Sequence, residues 1–422
     1  MLAHFSTAAS LLRWVVFPLA ACVLALRFAK QAVAPLLVRA SIAGSIIIVL
    51  AALLSIVTAT HYLQQWDFVC FWLYGHVAVA HGNVYDPGSY RALATPIAVD
   101  ADFRREVIDV GFPYPPPSIL LFVPLGFFTN VTVAGTLWLV AFLAALLGGV
   151  AVLARTYLKT IEPVALFAIV ALAFALPASA DNVAYHQTSF LTFLLVALTY
   201  RLRRTVAGGI AAGLAVVVKP YLAVIILWFA LRRRWNACAA SILTLVAATL
   251  AALPFLGRGA VHDFLFANPG SREPAGLFAE SEIASLYAAI LRASHRAGSL
   301  SGPLHDPLFI TIAVVAIVLS VFFIARARGD DDDLSLPIAL ALGLMLYPGT
   351  GTMYAIVLIP AFVALASRVR SRGLVLLFAG VALAFFAANA GGGASTFAAF
   401  ALLWALLGML VVRSPRTPAS AT

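Results

Sequence analysis

Asp67 is the carboxylate whose surroundings most suit chemistry. It lies in Gln65-Trp66-Asp67-Phe68, a few residues past a long apolar run and among aromatic side chains. A carboxylate at such a water–lipid boundary is partly desolvated, which raises its basicity. A base held there suits removal of a proton from a hydroxyl whose carrier is confined to the membrane surface. A helix N-cap or a solvated interfacial aspartate would use the same position. Lys219, before Pro220, is the second candidate. An ionisable group at membrane depth is functional by default, and a compact ammonium suits a phosphate; snorkelling to the interface is the plainer use. In Asp181-Asn182-Val183-Ala184-Tyr185-His186-Gln187, Asp181 and Gln187 offer contacts to sugar hydroxyls and His186 one to a phosphate, or the three cap the next helix. Asp86 and Tyr114 are further sugar or acceptor contacts, although Gly82-Asn83-Val84-Tyr85-Asp86-Pro87 reads alone as turn chemistry. Tyr114-Pro115-Pro116-Pro117 reads alone as a stiff extended linker.

Other chemistries find little support. Cys22, Cys70 and Cys238 are scattered, with no CxxC spacing. No HxxxH, HExxH, GxGxxG or Walker A motif occurs, and His76 and His81 are five apart, which a helix does not align. Asp67, Asp86 and a histidine would suit a divalent ion, yet no spacing demands one, so no cofactor is expected. The net charge of +10 comes from arginines at the ends of apolar runs, with no basic face interleaved with aromatics. That pattern serves topology and excludes nucleic acid as a partner.

The positioning elements must be membrane helices. Of 422 residues, 63% are hydrophobic and 10% charged, and the mean hydropathy is +1.02. A soluble domain carries about a quarter charged residues, so soluble enzymes, disulfide scaffolds and disordered chains are excluded. Spans are expected at 42–60, 132–154, 163–178, 188–200, 237–254, 307–325, 334–347, 355–367, 373–388 and 396–412. The run from Trp14 to Leu26 is short for a span, which makes 1–41 an interfacial or re-entrant segment. As one helix, 205–231 would reach about 40 Å and put Arg201, Arg203 and Arg204 on the opposite side from Arg232, Arg233 and Arg234. As a hairpin broken at Pro220, with arms of about 20 Å, it keeps every arginine cluster inside, as the positive-inside bias prefers. Gly209 and Gly213 would let one arm pack closely on a neighbour. The outer side then holds the long loops 61–131 and 255–306, and long loops in compact architectures are usually functional. Trp66–Ala80 and Ser118–Phe128 read as surface helices within the first of them. Residues 42–422 form one transmembrane domain in this reading, and no domain suits a nucleotide-sugar, so a transferase would take a donor already in the membrane.

Together these residues resemble the polyprenol-phosphate-sugar-dependent glycosyltransferases of family 87, in the GT-C superfamily. The likeness runs through Asp67-Phe68 with Phe71-Trp72, Gly82…Tyr85-Asp86, Tyr114-Pro115-Pro116-Pro117 with Pro124-Leu125, Gln187…Phe190-Leu191, Arg203-Arg204…Gly213…Lys219-Pro220 and Arg233-Arg234-Trp235. It covers residues 60–235 best. The resemblance implies an all-α polytopic membrane fold, a GT-C-like bundle of about 11–13 transmembrane helices whose large first outer loop bears one catalytic carboxylate, here Asp67. It implies a mannose or related donor on a polyprenyl phosphate, a glycan or glycolipid acceptor of the cell envelope, inversion at the anomeric carbon, and an active site on the outer face of the inner membrane. Lys219 and His186 would hold the donor phosphate, and the hairpin arms with the Ser118–Phe128 helix would cradle the isoprenoid tail. Relatives often carry a Ser-Pro followed by a tryptophan- or histidine-containing stretch near the last third. Here the region reads Tyr347-Pro348-Gly349-Thr350-Gly351-Thr352-Met353-Tyr354, leaving Tyr354 as the substitute hydrogen-bond donor. The competing classes are a transporter or lipid flippase, which also use broken helices, and a glycolipid-binding subunit.

Overall fold

The computed structural model describes residues 2–31, 35–36, 38–40, 42–44, 46–47, 50, 66–94, 111–158, 162–266, 280–296, 302–327 and 332–413. The protein is an all-α polytopic membrane protein. Among the described residues, six helices are long and apolar enough to cross a membrane: Leu11–Phe28, Val131–Tyr157, Trp235–Leu256, Pro307–Arg326, Arg372–Ala390 and Gly393–Arg413. A seventh span results if Pro163–Ala175 and Pro177–Ala184 count together, although they are bent by 61°. The bend follows from Pro177, which pushes Leu176 out of the helical region to ψ 134°. The predicted spans 188–200, 334–347 and 355–367 are shorter apolar helices, Ser189–Arg201, Asp333–Leu346 and Thr352–Ala366, and the predicted hairpin supplies two more, Val206–Val218 and Pro220–Leu231. The predicted span 42–60 lies largely outside the described residues.

The N-terminal expectation is corrected over residues 2–28. Leu2–Phe28 is one continuous helix of 27 residues, not a short interfacial piece. The sequence reading starts the apolar run after Arg13, but the helix runs through Arg13, whose charge the Asp181 carboxylate opposes. At the far end Arg27 pairs with Glu162, its Nε 3.0 Å from the carboxylate.

Side-chain caps explain several helix starts. Asn130 accepts from the amides of Thr132 and Val133, Asp306 from Leu308 and Phe309, and Ser371 from Leu374, satisfying donors that a first turn leaves open. The short helices around Lys219 form a hairpin. Arg203, before the first arm, reaches Asp333 at 3.3 Å; Arg232, after the second, donates to the carbonyls of Ile324 and Ala327. Both arginines therefore meet the facing ends of two later helices, Pro307–Arg326 and Asp332–Leu346. The first arm is packed tightly: a Cβ on Gly209 would lie 2.8 Å from that of Ala240, and one on Gly213 2.6 Å from that of Thr244.

The helix that carries Asp67, Trp66–Val79, is locked onto the apolar turn Pro116–Phe127. The two backbones cross at Gly75 and Gly126, where a Cβ on Gly75 would lie 2.7 Å from the Gly126 nitrogen. Trp72 Nε1 donates to the Phe128 carbonyl at 2.8 Å, and Phe71 stacks on Phe122 at 4.8 Å. Ser118 Oγ donates to the Val217 carbonyl at 2.7 Å, tying this pair to the Lys219 hairpin. Backbone-to-backbone contact leaves no flexible side chain to yield. We expect Gly75→Leu to destabilise the protein by about 3 kcal/mol or more, read as a lowered melting temperature in detergent beside an unaffected Leu376→Phe control on an exposed helix face.

Candidate active site

Four side chains from four segments form one connected chain. Asp67 enters at the start of its helix, where the helix dipole favours a carboxylate. Its Oδ2 accepts from Gln187 Nε2 at 2.5 Å. The Gln187 Oε1 faces Lys219 Nζ at 3.5 Å, and Lys219 Nζ donates to the Tyr354 hydroxyl at 2.9 Å. This amide orientation is the one that gives a donor to the carboxylate and an acceptor to the ammonium.

Each residue arrives for a local reason. Helix Pro177–Ala184 ends where His186 takes the left-handed conformation, φ 53°, and the Gln187 amide turns back to the Asn182 carbonyl at 3.0 Å. Lys219 leaves its helix with φ −143° and ψ 112°, as a residue before proline must. It is 2% exposed, lies 4.4 Å from the Tyr354 ring centroid and 5.6 Å from that of Tyr114, and so is held by aromatic faces. Tyr114 is placed in turn by Tyr85, whose hydroxyl donates to its carbonyl at 2.9 Å. Two buried asparagines fix the Tyr354 loop: Asn182 donates to the Met353 carbonyl at 2.8 Å, and Asn389 to the Thr352 carbonyl at 3.0 Å.

Burial pushes the Asp67 carboxyl above its usual range. The Gln187 hydrogen bond and the Lys219 charge draw it back down, and Glu282 adds to the upward push. The result is a half-buried carboxylate next to a buried cation, able to accept a proton on one side and to steady negative charge on the other.

The structure thus brings Asp67, Gln187, Lys219, Tyr114 and Tyr354 together. Asp181 joins the rim, accepting from the Thr352 hydroxyl. Two expected contacts stay apart. Asp86 is exposed and caps its own turn, accepting from the Gly88 amide at 3.0 Å; the turn reading of that motif describes it. His186 packs its ring against Phe68 at 5.6 Å, and burial lowers its pKa to about 4. At neutral pH it carries no charge to set against a phosphate. Three residues went unread in the sequence. Tyr221 stacks on Tyr354 at 5.4 Å, and its place just after Lys219-Pro220 was the available signal. Asn389 left one too, an amide at the end of an apolar span. Glu282 repels Asp67, Asp181 and Tyr185, yet nothing in its local sequence marks it. Among the described residues, no three His, Cys, Asp or Glu side chains come together to hold a metal ion.

Residues 112–350 match glycosyltransferase family 87, more than half of the chain. The chain belongs to glycosyltransferase family 87. The matched stretch contains Tyr114, Gln187 and Lys219; Asp67 and Tyr354 flank it. Curated relatives from two strains of Mycobacterium tuberculosis are alpha-(1->3)-arabinofuranosyltransferases, each 28% identical over 197 residues, which is 43% of this chain and 44% of theirs. The chain thus spans under half the length of the relatives it matches. No solved structure matches this family 87 chain.

Proposed function

We propose that this protein is an integral-membrane inverting glycosyltransferase that moves a sugar from a polyprenyl-phosphate donor to a glycan or glycolipid of the cell envelope. The observation that carries the reading is the chain Asp67–Gln187–Lys219–Tyr354. In one in-line step the acceptor oxygen bonds to the anomeric carbon while the bond from that carbon to the phosphate oxygen breaks. The acceptor proton passes to Asp67, and the lipid phosphate leaves with the electron pair. One base suffices for inversion, whereas a covalent route would need a nucleophile as well. Lys219 faces the charge growing on the leaving phosphate, so the reading calls for no cofactor.

The site lies at the bundle end opposite the arginines that meet Asp333, Ala327 and Glu162. With those arginines in the cytoplasm, as the positive-inside bias requires, the site faces outward from the inner membrane. The relatives' name favours a pentofuranose over mannose as the sugar. Reconstituted protein is therefore given labelled polyprenyl-phosphate arabinofuranose and, separately, polyprenyl-phosphate mannose with an envelope glycan acceptor. The expected result is release of polyprenyl phosphate from one of the donors, with the transferred sugar inverted. Intact donor in both reactions, or a product of retained configuration, rejects the reading.

A further inference from the structure

Asp67 and Lys219 carry opposite charges at one site, yet among the described residues no ion pair joins them directly. Gln187 stands between them. Its Nε2 donates to Asp67 Oδ2 at 2.5 Å, and its Oε1 accepts from Lys219 Nζ at 3.5 Å. Gln187 and Lys219 are both buried, and in such surroundings opposite charges attract far more strongly than in water. A direct pair would harm the proposed step at both ends. The carboxylate would lose basicity to the adjacent cation, and the ammonium would already be engaged when charge grows on the leaving phosphate. A neutral amide offers a donor to one and an acceptor to the other, and it does not titrate.

The amide is held in place through its own backbone. His186 takes the left-handed region at φ 53°, which histidine enters more readily than most side chains. Its carbonyl accepts from Trp138 Nε1 at 2.8 Å, and its ring lies 5.6 Å from that of Phe68, the residue after Asp67. His186 thus serves by conformation rather than by charge. Beyond it, the Gln187 amide donates to the Asn182 carbonyl at 3.0 Å, and the Ser189 amide to Asn182 Oδ1 at 3.3 Å. Asn182 also donates to the Met353 carbonyl, beside Tyr354. One asparagine therefore sets both the turn that carries Gln187 and the loop whose hydroxyl meets Lys219.

We propose that Gln187 is a positioning residue that keeps the base Asp67 and the cation Lys219 from neutralising each other, so that the base stays available to the acceptor hydroxyl and the cation to the donor phosphate. Those two roles rest on the transferase reading above; the separation of the charges belongs to the protein alone and is measured without substrate. The carboxyl C=O stretch of Asp67, identified by its loss in Asp67→Asn, is followed by infrared titration of the protein in detergent. Initial rates of transfer are taken over the same pH range. Gln187→Met keeps a spacer of similar length but no hydrogen bond. Because the Gln187 bond favours the ionised form, its loss should move the titration to higher pH, with the plateau rate within about tenfold of the unaltered protein. Gln187→Ala removes the spacer. Lys219 then meets the carboxylate, so the titration should move to lower pH and the plateau rate fall by about 10²-fold or more. In Gln187→Ala/Lys219→Met the downward move should vanish. Glu282, the other charge acting on Asp67, is present in every variant, and Tyr114, Tyr185 and Tyr354 stay neutral over this range.

Titrations of Gln187→Ala and Gln187→Met that move the same way, or do not move, overturn the proposal. So does a downward move that persists without Lys219, because water would then have taken the place of the amide. Should melting in detergent show the alanine variant unfolded, Gln187→Ser shortens the side chain in its stead, with the same two outcomes. If the unaltered protein transfers from no polyprenyl-phosphate sugar, the transferase reading fails, while the infrared titration still decides whether Gln187 holds the charges apart.

Discussion

Asp67→Asn is expected to lower the rate of sugar transfer by about 10²–10⁴-fold, the range over which a positioned general base acts. The substitution keeps the shape of the side chain and its hydrogen bond to Gln187, since the asparagine oxygen accepts from the same amide. It removes the one property the step requires, a lone pair basic enough to take the acceptor's proton. Donor binding should survive, because Lys219 and Tyr354 remain in contact. Melting temperature in detergent and donor KM should stay close to the starting protein while kcat falls. Full turnover by the folded variant would remove Asp67 from the mechanism.

The pH dependence gives the same claim a second reading. In the proposed step the ionised carboxylate is the active form, and burial holds this carboxyl above its ordinary position near 4. A group raised in this way is protonated, and idle, over a wider acid range. Activity should therefore fall with decreasing pH at a higher pH than an exposed aspartate would set. The residual rate of Asp67→Asn should be flat across that interval.

How far the sequence could foresee this site depends on what each residue's neighbours encode. Asp67 and Lys219 were legible because an ionisable side chain in apolar surroundings is costly wherever it ends up. Lys219-Pro220 even declared its geometry, because proline dictates the backbone of the residue before it. The bilayer's thickness and the positive-inside bias made most helices readable, and boundaries such as Trp235–Leu256 differ from the expected 237–254 by two residues. Arg13 defeated that reading, since the carboxylate that offsets its charge, Asp181, lies far away in the chain. His186 misled for a related reason: its type suggests a cation, but its charge is set by Phe68 and the burial around it. Glu282 was invisible because it reaches the rim only through backbone pairing, its carbonyl accepting from the Thr352 amide at 3.0 Å beside the bridge of Ile283 with Gly351. Local pattern reports burial and breaks well. Partnerships between distant segments leave little local trace.

Lys219→Met should reduce kcat/KM for the donor by about 10²–10³-fold, comparable to removing one preorganised donor from a developing anion. Methionine has similar length and keeps favourable contact with the Tyr114 and Tyr354 rings, so the loss is one of charge rather than of packing. An ammonium has three protons. Gln187 and Tyr354 engage two of them, and the third is available to a phosphate oxygen. A further effect separates this role from a merely structural one. Lys219 favours the ionised form of Asp67, so its removal must raise that carboxyl further and carry the acid limb of the rate profile to higher pH. Of the other groups acting on Asp67, Glu282 pushes it in the same direction and Gln187 opposes it without titrating, while Tyr114, Tyr185 and Tyr354 remain neutral over this range. Initial rates measured against donor concentration at several pH values test both effects at once. A Lys219→Met protein with unaltered donor kinetics and an unmoved acid limb would show that this cation neither meets the phosphate nor tunes the base.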